Sequence, residues 1–169
     1  MRACSAGAHM GAAACASPVG LPLASAGRLA SVASIMKPQS FRLIPDMEQQ
    51  YCMSVGMRAG DLLFIGGLFA VDDDGNALHP DDPAMQFKVI YEQMSRVLAA
   101  HGGTAADVVS ETIYYGCSAE EYSERLVPYR QAFYRGCNGP SVVGVQVVGF
   151  IERAIQVEVT AIAYLPVRA

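Results

Sequence analysis

The last third of the chain sets the strongest limit on its fold. Ser141-Val-Val-Gly-Val-Gln-Val-Val-Gly-Phe150 and Ile155-Gln-Val-Glu-Val-Thr-Ala-Ile-Ala163 are two apolar, β-branched runs split by a short polar break. Runs of this length and composition predict strands rather than helices. The second run carries one carboxylate, Glu158, between two valines. A desolvated, unpaired charge in such a strand is costly. Glu158 therefore faces water, pairs with a partner, or lines a site.

Upstream, Phe41 to Pro45 and Tyr51 to Arg58 read as short strands. Ala59-Gly-Asp61 is a turn, and Leu62-Leu-Phe-Ile65 is a buried-strand run ending in Gly66-Gly67. Asp72-Asp-Asp-Gly-Asn76 is a second turn. Asp82 and Pro83 then fit the N-cap and first position of a helix. Its stripe is Phe87, Ile90, Tyr91, Met94, Val97, Leu98 and His101, and Gly102-Gly103 ends it. Val108 to Gly116 predicts another strand. Ser118-Ala-Glu-Glu121 is a capping box opening a second helix, with a stripe of Tyr122, Leu126, Tyr129 and Phe133. Pro128 inside that stripe predicts a kink or a break. Arg135 suits the helix C-terminus, Gly136 is a left-handed terminator, and Cys137-Asn-Gly-Pro140 is a turn.

The resulting order, β-β-β-α-β-α-β-β, argues an α+β fold: a mixed sheet with two helices on one face. Such a sheet leaves its other face uncovered. Val142, Val145, Val147, Val157 and Val159 supply more branched bulk than one covered face needs, which predicts a homo-oligomer.

Residues 1–40 differ from the rest. They are rich in Ala, Ser and Gly, and the first acidic residue is Asp46. Three readings compete for them: a poorly ordered extension, an Arg-bearing and acid-poor targeting leader, or upstream sequence ahead of a start at Met36 or Met47. We take 1–40 as a poorly ordered extension and 41–169 as one domain. Without Arg2, Arg28 and Lys37 the 12 basic residues fall to 9, against 16 acidic ones, for a net charge of −7. An acidic body gives no electrostatic reason to bind nucleic acid or an anionic membrane, and there is no apolar run of about 18 residues to span one. Cys4, Cys15, Cys52, Cys117 and Cys137 form no Cys-x-x-Cys pair, and with His9, His79 and His101 they show no metal-ligand spacing. Free thiols in a reducing compartment are the expectation. That favours a cytoplasmic location, or a mitochondrial one if 1–40 is a leader.

Three segments together carry a resemblance: Arg58-Ala-Gly-Asp-Leu-Leu-Phe-Ile-Gly-Gly67, Ala99-Ala-His-Gly-Gly-Thr-Ala-Ala-Asp-Val-Val109 and Val157-Glu-Val-Thr-Ala-Ile-Ala163. In this order and spacing they resemble the Rid (reactive intermediate deaminase, YjgF-type) family from about Tyr51 to Tyr164. The resemblance implies a chorismate-mutase-like α+β fold and a homotrimer whose sheets line a central barrel, with small-molecule pockets between subunits. It implies hydrolysis of enamines and imines, such as 2-aminoacrylate, to a carbonyl compound and ammonia, with no metal and no organic cofactor.

Within that resemblance Glu158 matches the glutamate that holds or activates the attacking water. The family's carboxylate-clamping arginine has no counterpart. Its place falls within Pro140-Ser-Val-Val143, and no Arg or Lys lies between Cys137 and Glu152. The loss of such a clamp lowers affinity for an amino-acid-derived anion by roughly one to two orders of magnitude. The resemblance sets Met53 at the place of a first-strand tyrosine, with Tyr51 two residues away on the same strand face. Gly66-Gly67 stands at the usual Ser-Gly, and Leu126 near a second-helix asparagine. The expected site is therefore Glu158 with Tyr51, Met53, Gly66, Gly67, Tyr115, Leu126, Ser141, Val142 and Val143. Tyr114 and Tyr115 point to opposite faces of their strand, one to the core and one to the pocket. Two functions follow: a deaminase of altered substrate range, or a non-catalytic trimer that binds a small molecule or a protein. A ribonuclease role fits poorly with a net charge of −7.

Overall fold

The computed structural model describes residues 37–166. The expected extension, 1–40, lies outside these residues except for its last four positions, of which Gln39 and Ser40 already belong to the first strand.

Six strands form one sheet: β1 Gln39–Phe41, β2 Gly56–Ala59, β3 Leu62–Leu68, β4 Val108–Tyr115, β5 Ser141–Gln146 and β6 Val157–Tyr164. Their spatial order is β1-β2-β3-β6-β4-β5. All pairings are antiparallel except β4 with β5. The parallel pair requires a crossover, which the second helical segment supplies.

That segment opens at Ala119–Glu121 (α3), runs through a π-helical stretch at Tyr122–Leu126, and continues as Val127–Phe133 (α4). The expected effect of Pro128 is thus a widened turn just before it, where the missing N–H and the ring are accommodated without a break. The Ser118 hydroxyl accepts from the Glu121 N–H, one half of the expected capping box, while the Glu121 carboxylate pairs with Arg125 instead of returning to the Ser118 N–H. The long helix α2, Pro83–Ala100, is capped by Asp82, whose carboxylate accepts from Ala84 and Met85 N–H.

The expected strands at 41–45 and 51–58 are corrected. A short helix, Pro45–Gln50 (α1), stands between β1 and β2, and Tyr51 is its C-cap. Proline in the first turn with Asp46 and Glu48 beside it favours a helix start. Glu48, 1% exposed, fixes this helix: its carboxylate accepts from the N–H groups of Leu43, Ile44 and Val55 at 2.7–2.8 Å.

Both long helical segments cover one face. Phe87, Ile90, Met94, Val97 and Leu98 of α2 pack on Leu63, Ile65, Ile113, Val157, Val159 and Ala161. Tyr91 stacks on Phe133 (centroids 4.7 Å) and joins the two helical segments. Along β6 the residues alternate: Val157, Val159, Ala161 and Ala163 are buried, and Glu158, Thr160, Ile162 and Tyr164 face the other way. Among the described residues no helix lies on that second face. Leu62 (39% exposed), Phe64 (43%) and Tyr164 (49%) sit there, and Phe64 and Ile162 border a hollow of about 270 Å³ that Ser110, Thr112 and Thr160 also line.

Candidate functional site

Glu158 lies on the open face, and three strands bring it its neighbours. Antiparallel pairing places it directly opposite Tyr114 of β4, a distance over which cross-strand side chains interact. On the other side β3 carries a bulge between Ile65 and Leu68, and Gly66-Gly67 occupies it. The Glu158 carboxylate rests against Gly67: a Cβ on that glycine would meet the carboxylate, with its Cδ only 2.9 Å away. A side chain at this position would displace the Glu158 carboxylate from where it now lies, and the glycine leaves that space to it.

Glu158 is half-buried, and among the described residues no hydrogen bond or salt bridge engages its carboxylate. Burial raises its pKa above the ordinary glutamate value, with no cation opposing the shift. A carboxylate of this kind is a stronger base than a solvated one and is free to hold water.

The other expected site residues do not gather in one place. Met53 and Gly67 line a small cavity of about 20 Å³ beside Glu48 and Gln93. Gln93 is 7% exposed and its Oε1 has no partner among the described residues, and the space suits one water molecule. Gly66 shares the bulge with Gly67. Tyr51 stands apart, 66% exposed at the end of α1, so Tyr51 and Met53 do not share a strand face.

Tyr115, Leu126 and Val142 stand on the helix side of the sheet, opposite Glu158. Tyr115 stacks on Tyr122 with centroids 4.4 Å apart. Leu126 is fully buried in the core. Ser141, Val142 and Val143 lie along the edge strand β5, and Val142 and Val143 are 45% and 56% exposed. Parallel pairing aligns Val142 with Glu111 and Val143 with Thr112. Val143 thus belongs to the open face with Thr112, and Val142 to the helix face with Glu111. The tyrosine beside Glu158 is Tyr114. Strict alternation makes the two tyrosines opposite in facing, but only the β4–β6 register says which of them meets Glu158.

A second polar cluster, absent from the expected site, sits under the helices at Glu111. This carboxylate, 1% exposed, accepts from Arg130 Nε at 2.7 Å, Tyr91 OH at 3.0 Å and Tyr134 OH at 3.1 Å. Burial first, then the Glu111 charge, raises both tyrosine pKa values, so the phenols remain donors. Burial works against the Arg130 charge, but the Glu111 hydrogen bond and charge outweigh it and hold the guanidinium above its usual value. Gln86, also buried, donates to the carbonyls of Leu78, His79 and Ala154 and accepts from Gln156 N–H at 2.8 Å, which fixes the entry to β6 two residues before Glu158. Among the described residues no group of His, Cys, Asp and Glu is arranged to hold a metal ion.

The chain's similarities agree with this architecture. The profile of the family described as Endoribonuclease L-PSP matches residues 43–165. Among solved structures, the structural-genomics protein YJGH is 22% identical, with a TM-score of 0.65 over 79% of this chain and 96% of that one. A Mycobacterium tuberculosis member of the highly conserved YjgF family is 21% identical, with a TM-score of 0.64 over 76% and 100%. RidA from an Antarctic Psychrobacter is 20% identical, with a TM-score of 0.59 over 66% and 87%. At these identities the structures speak for the fold, a chorismate-mutase-like α+β sheet, while the profile spans most of the chain. The chain belongs to the Endoribonuclease L-PSP family, the YjgF/Rid family.

Proposed function

We propose that the protein hydrolyses a reactive imine or enamine to a carbonyl compound and ammonia, acting as a homotrimer with its sites between subunits and needing no metal or organic cofactor. The observation that carries this reading is Glu158: half-buried, unpaired, its pKa raised by burial, and held against a glycine bulge. Glu158 takes a proton from water as the water oxygen bonds to the C=N carbon. An enamine first tautomerises to the imine by taking up a proton at carbon. The imine nitrogen takes a proton from solvent to give the carbinolamine. The proton on Glu158 then goes to the amine as the C–N bond breaks, and the hydroxyl proton is released to solvent as the C=O bond forms. Tyr114 is the phenol that the β4–β6 register sets opposite Glu158 on the same face. β5 carries no cation, so the substrate range differs from that of a member with an arginine there.

Ammonia release from a panel of imines, generated in place from amino acids and from neutral amines, tests the reading. Release above the spontaneous rate for at least one substrate is expected. A second reading, a trimer that binds a small molecule or a protein without catalysis, rests on the exposed Val142 and Val143 of β5. A panel with no release above background, from a correctly assembled protein, decides for it. The name endoribonuclease attached to the family finds no support in a body of net charge −7.

A further inference from the structure

We infer that Gln93 is a positioning residue for Glu158, acting through one water molecule held in the cavity of about 20 Å³ behind the Gly66-Gly67 bulge. The inference rests on the proposed role of Glu158 and adds the device that sets where its carboxylate lies.

Three observations support it. First, the cavity holds an acceptor with no donor. Gln93 lines it and is 7% exposed, and its Oε1 has no partner among the described residues. Its Nε2 makes only a long contact, 3.5 Å, to the Val71 carbonyl. Gln86, two turns earlier on α2, shows the contrast: its amide donates to three carbonyls and accepts from the Gln156 N–H. A buried amide oxygen in the state of Gln93 is where native proteins place an ordered water. Second, the cavity offers that water another acceptor. Glu48 also lines it, and its carboxylate accepts three N–H groups, which leaves one of about four lone-pair sites open. One O–H of the water reaches Gln93 Oε1 and the other reaches Glu48.

Third, the bulge itself is a wall of the cavity. Gly67 borders the cavity and also meets the Glu158 carboxylate. Both glycines fall between the ladder pairs Ile65–Ala161 and Leu68–Val159, so strand pairing alone does not fix them. The Gly66 N–H donates instead to the Val55 carbonyl at 2.7 Å, and the Val55 N–H donates to Glu48 at 2.7 Å. The water joins Gln93 to the end of this chain and ties the bulge to α2. Glu158 Cδ lies 2.9 Å from the point where a Gly67 Cβ would stand, so a shift of the bulge moves the carboxylate. A misplacement of about 1 Å at a reacting group costs on the order of 100-fold in rate.

A crystal structure tests the water, and a ¹³C-carboxyl NMR titration of Glu158 tests the coupling. Density for one water within about 3.2 Å of Gln93 Oε1 is expected, and an empty cavity overturns the inference. Gln93→Met keeps the side-chain length and removes the acceptor. Val71→Ile keeps Gln93 and puts a methyl group into the cavity that Val71 lines. Both are expected to move the Glu158 midpoint toward the ordinary glutamate value. Both are also expected to lower kcat for the fastest imine about tenfold with KM little changed. Met94→Ala removes core bulk from the same helix at a position that does not line the cavity. It is expected to lower Tm and leave the midpoint in place. A midpoint unmoved in either cavity variant, or moved as far by Met94→Ala, overturns the inference. The two readings fail separately, because the titration needs no turnover. A displaced midpoint in a protein that releases ammonia from no imine removes the deaminase and leaves the positioning role. Imine turnover in the wild type, with kcat and midpoint unchanged in Gln93→Met, does the reverse.

Discussion

Glu158 and His101 show at the residue scale how burial sets chemistry. Burial raises the Glu158 pKa, and only the ionised form accepts a proton from water. The acid limb of kcat/KM is therefore expected above the ordinary glutamate range, with activity falling as pH drops through it. A limb at or below the value of a solvated glutamate contradicts this. Gly67→Ala sets a methyl group where the Glu158 carboxylate now lies, so turnover is expected to fall sharply while circular dichroism stays that of the wild type. His101 shifts the other way: burial, then the Arg58 charge, lowers its pKa from 6.5. Its Nε2 is buried without a partner among the described residues. Folding then favours the neutral ring. The stability this contributes is full above the unfolded-state pKa and is lost as pH falls below about 6.5 toward the lowered folded value. Melting curves across that interval are expected to show a loss of Tm that His101→Phe abolishes. The sequence made Glu158 conspicuous because its two neighbours are valines. It hid Glu111 for a related reason. A carboxylate in a strand reads as outward-facing until its three donors, which lie 19 to 23 residues away, are brought to it by the fold.

At the scale of elements, punctuation was legible and short pieces were not. Asp82-Pro83, Gly102-Gly103, Ser118 and Gly136 mark ends that the structure keeps, with Gly102 and Gly136 at φ +74° and +83°. Residues 41–58 were misread because α1 spans only six residues, too few for a helical period to emerge from apolar spacing. Its start rests instead on Pro45 and on the Glu48 carboxylate meeting three backbone donors, a tertiary fact. Glu111 has the parallel role for β4, joining it to α2 through Tyr91 and to α4 through Arg130 and Tyr134. Glu111→Ala leaves Arg130 unpaired, and because that side chain keeps some water the cost is expected at the low end for a broken buried pair, about 3 kcal/mol. Urea denaturation measures it, and a loss below about 1 kcal/mol would show that the cluster contributes little.

At the scale of the whole molecule, the described residues leave one face of the sheet under helices and the other bare. Leu62, Phe64 and Tyr164 are exposed on the bare face, and an apolar surface of this kind is usually covered by another copy. Sedimentation velocity is expected to give a trimer, and Phe64→Glu to shift it toward monomers; a wild-type monomer would contradict the proposed assembly. The excess of valine in the last third did not mark this open face: Val157 and Val159 are buried under the helices and Val142 stands on the helix side. Which half of the site each face supplies was not legible, because facing depends on the bulge at Gly66-Gly67 and on strand register rather than on residue type. The most direct test of the account is kcat/KM for the fastest imine substrate in wild type and Glu158→Gln at equal oligomer mass. A fall of about 100-fold or more is predicted. A change of less than about threefold would contradict the assignment of Glu158 as the water-activating base.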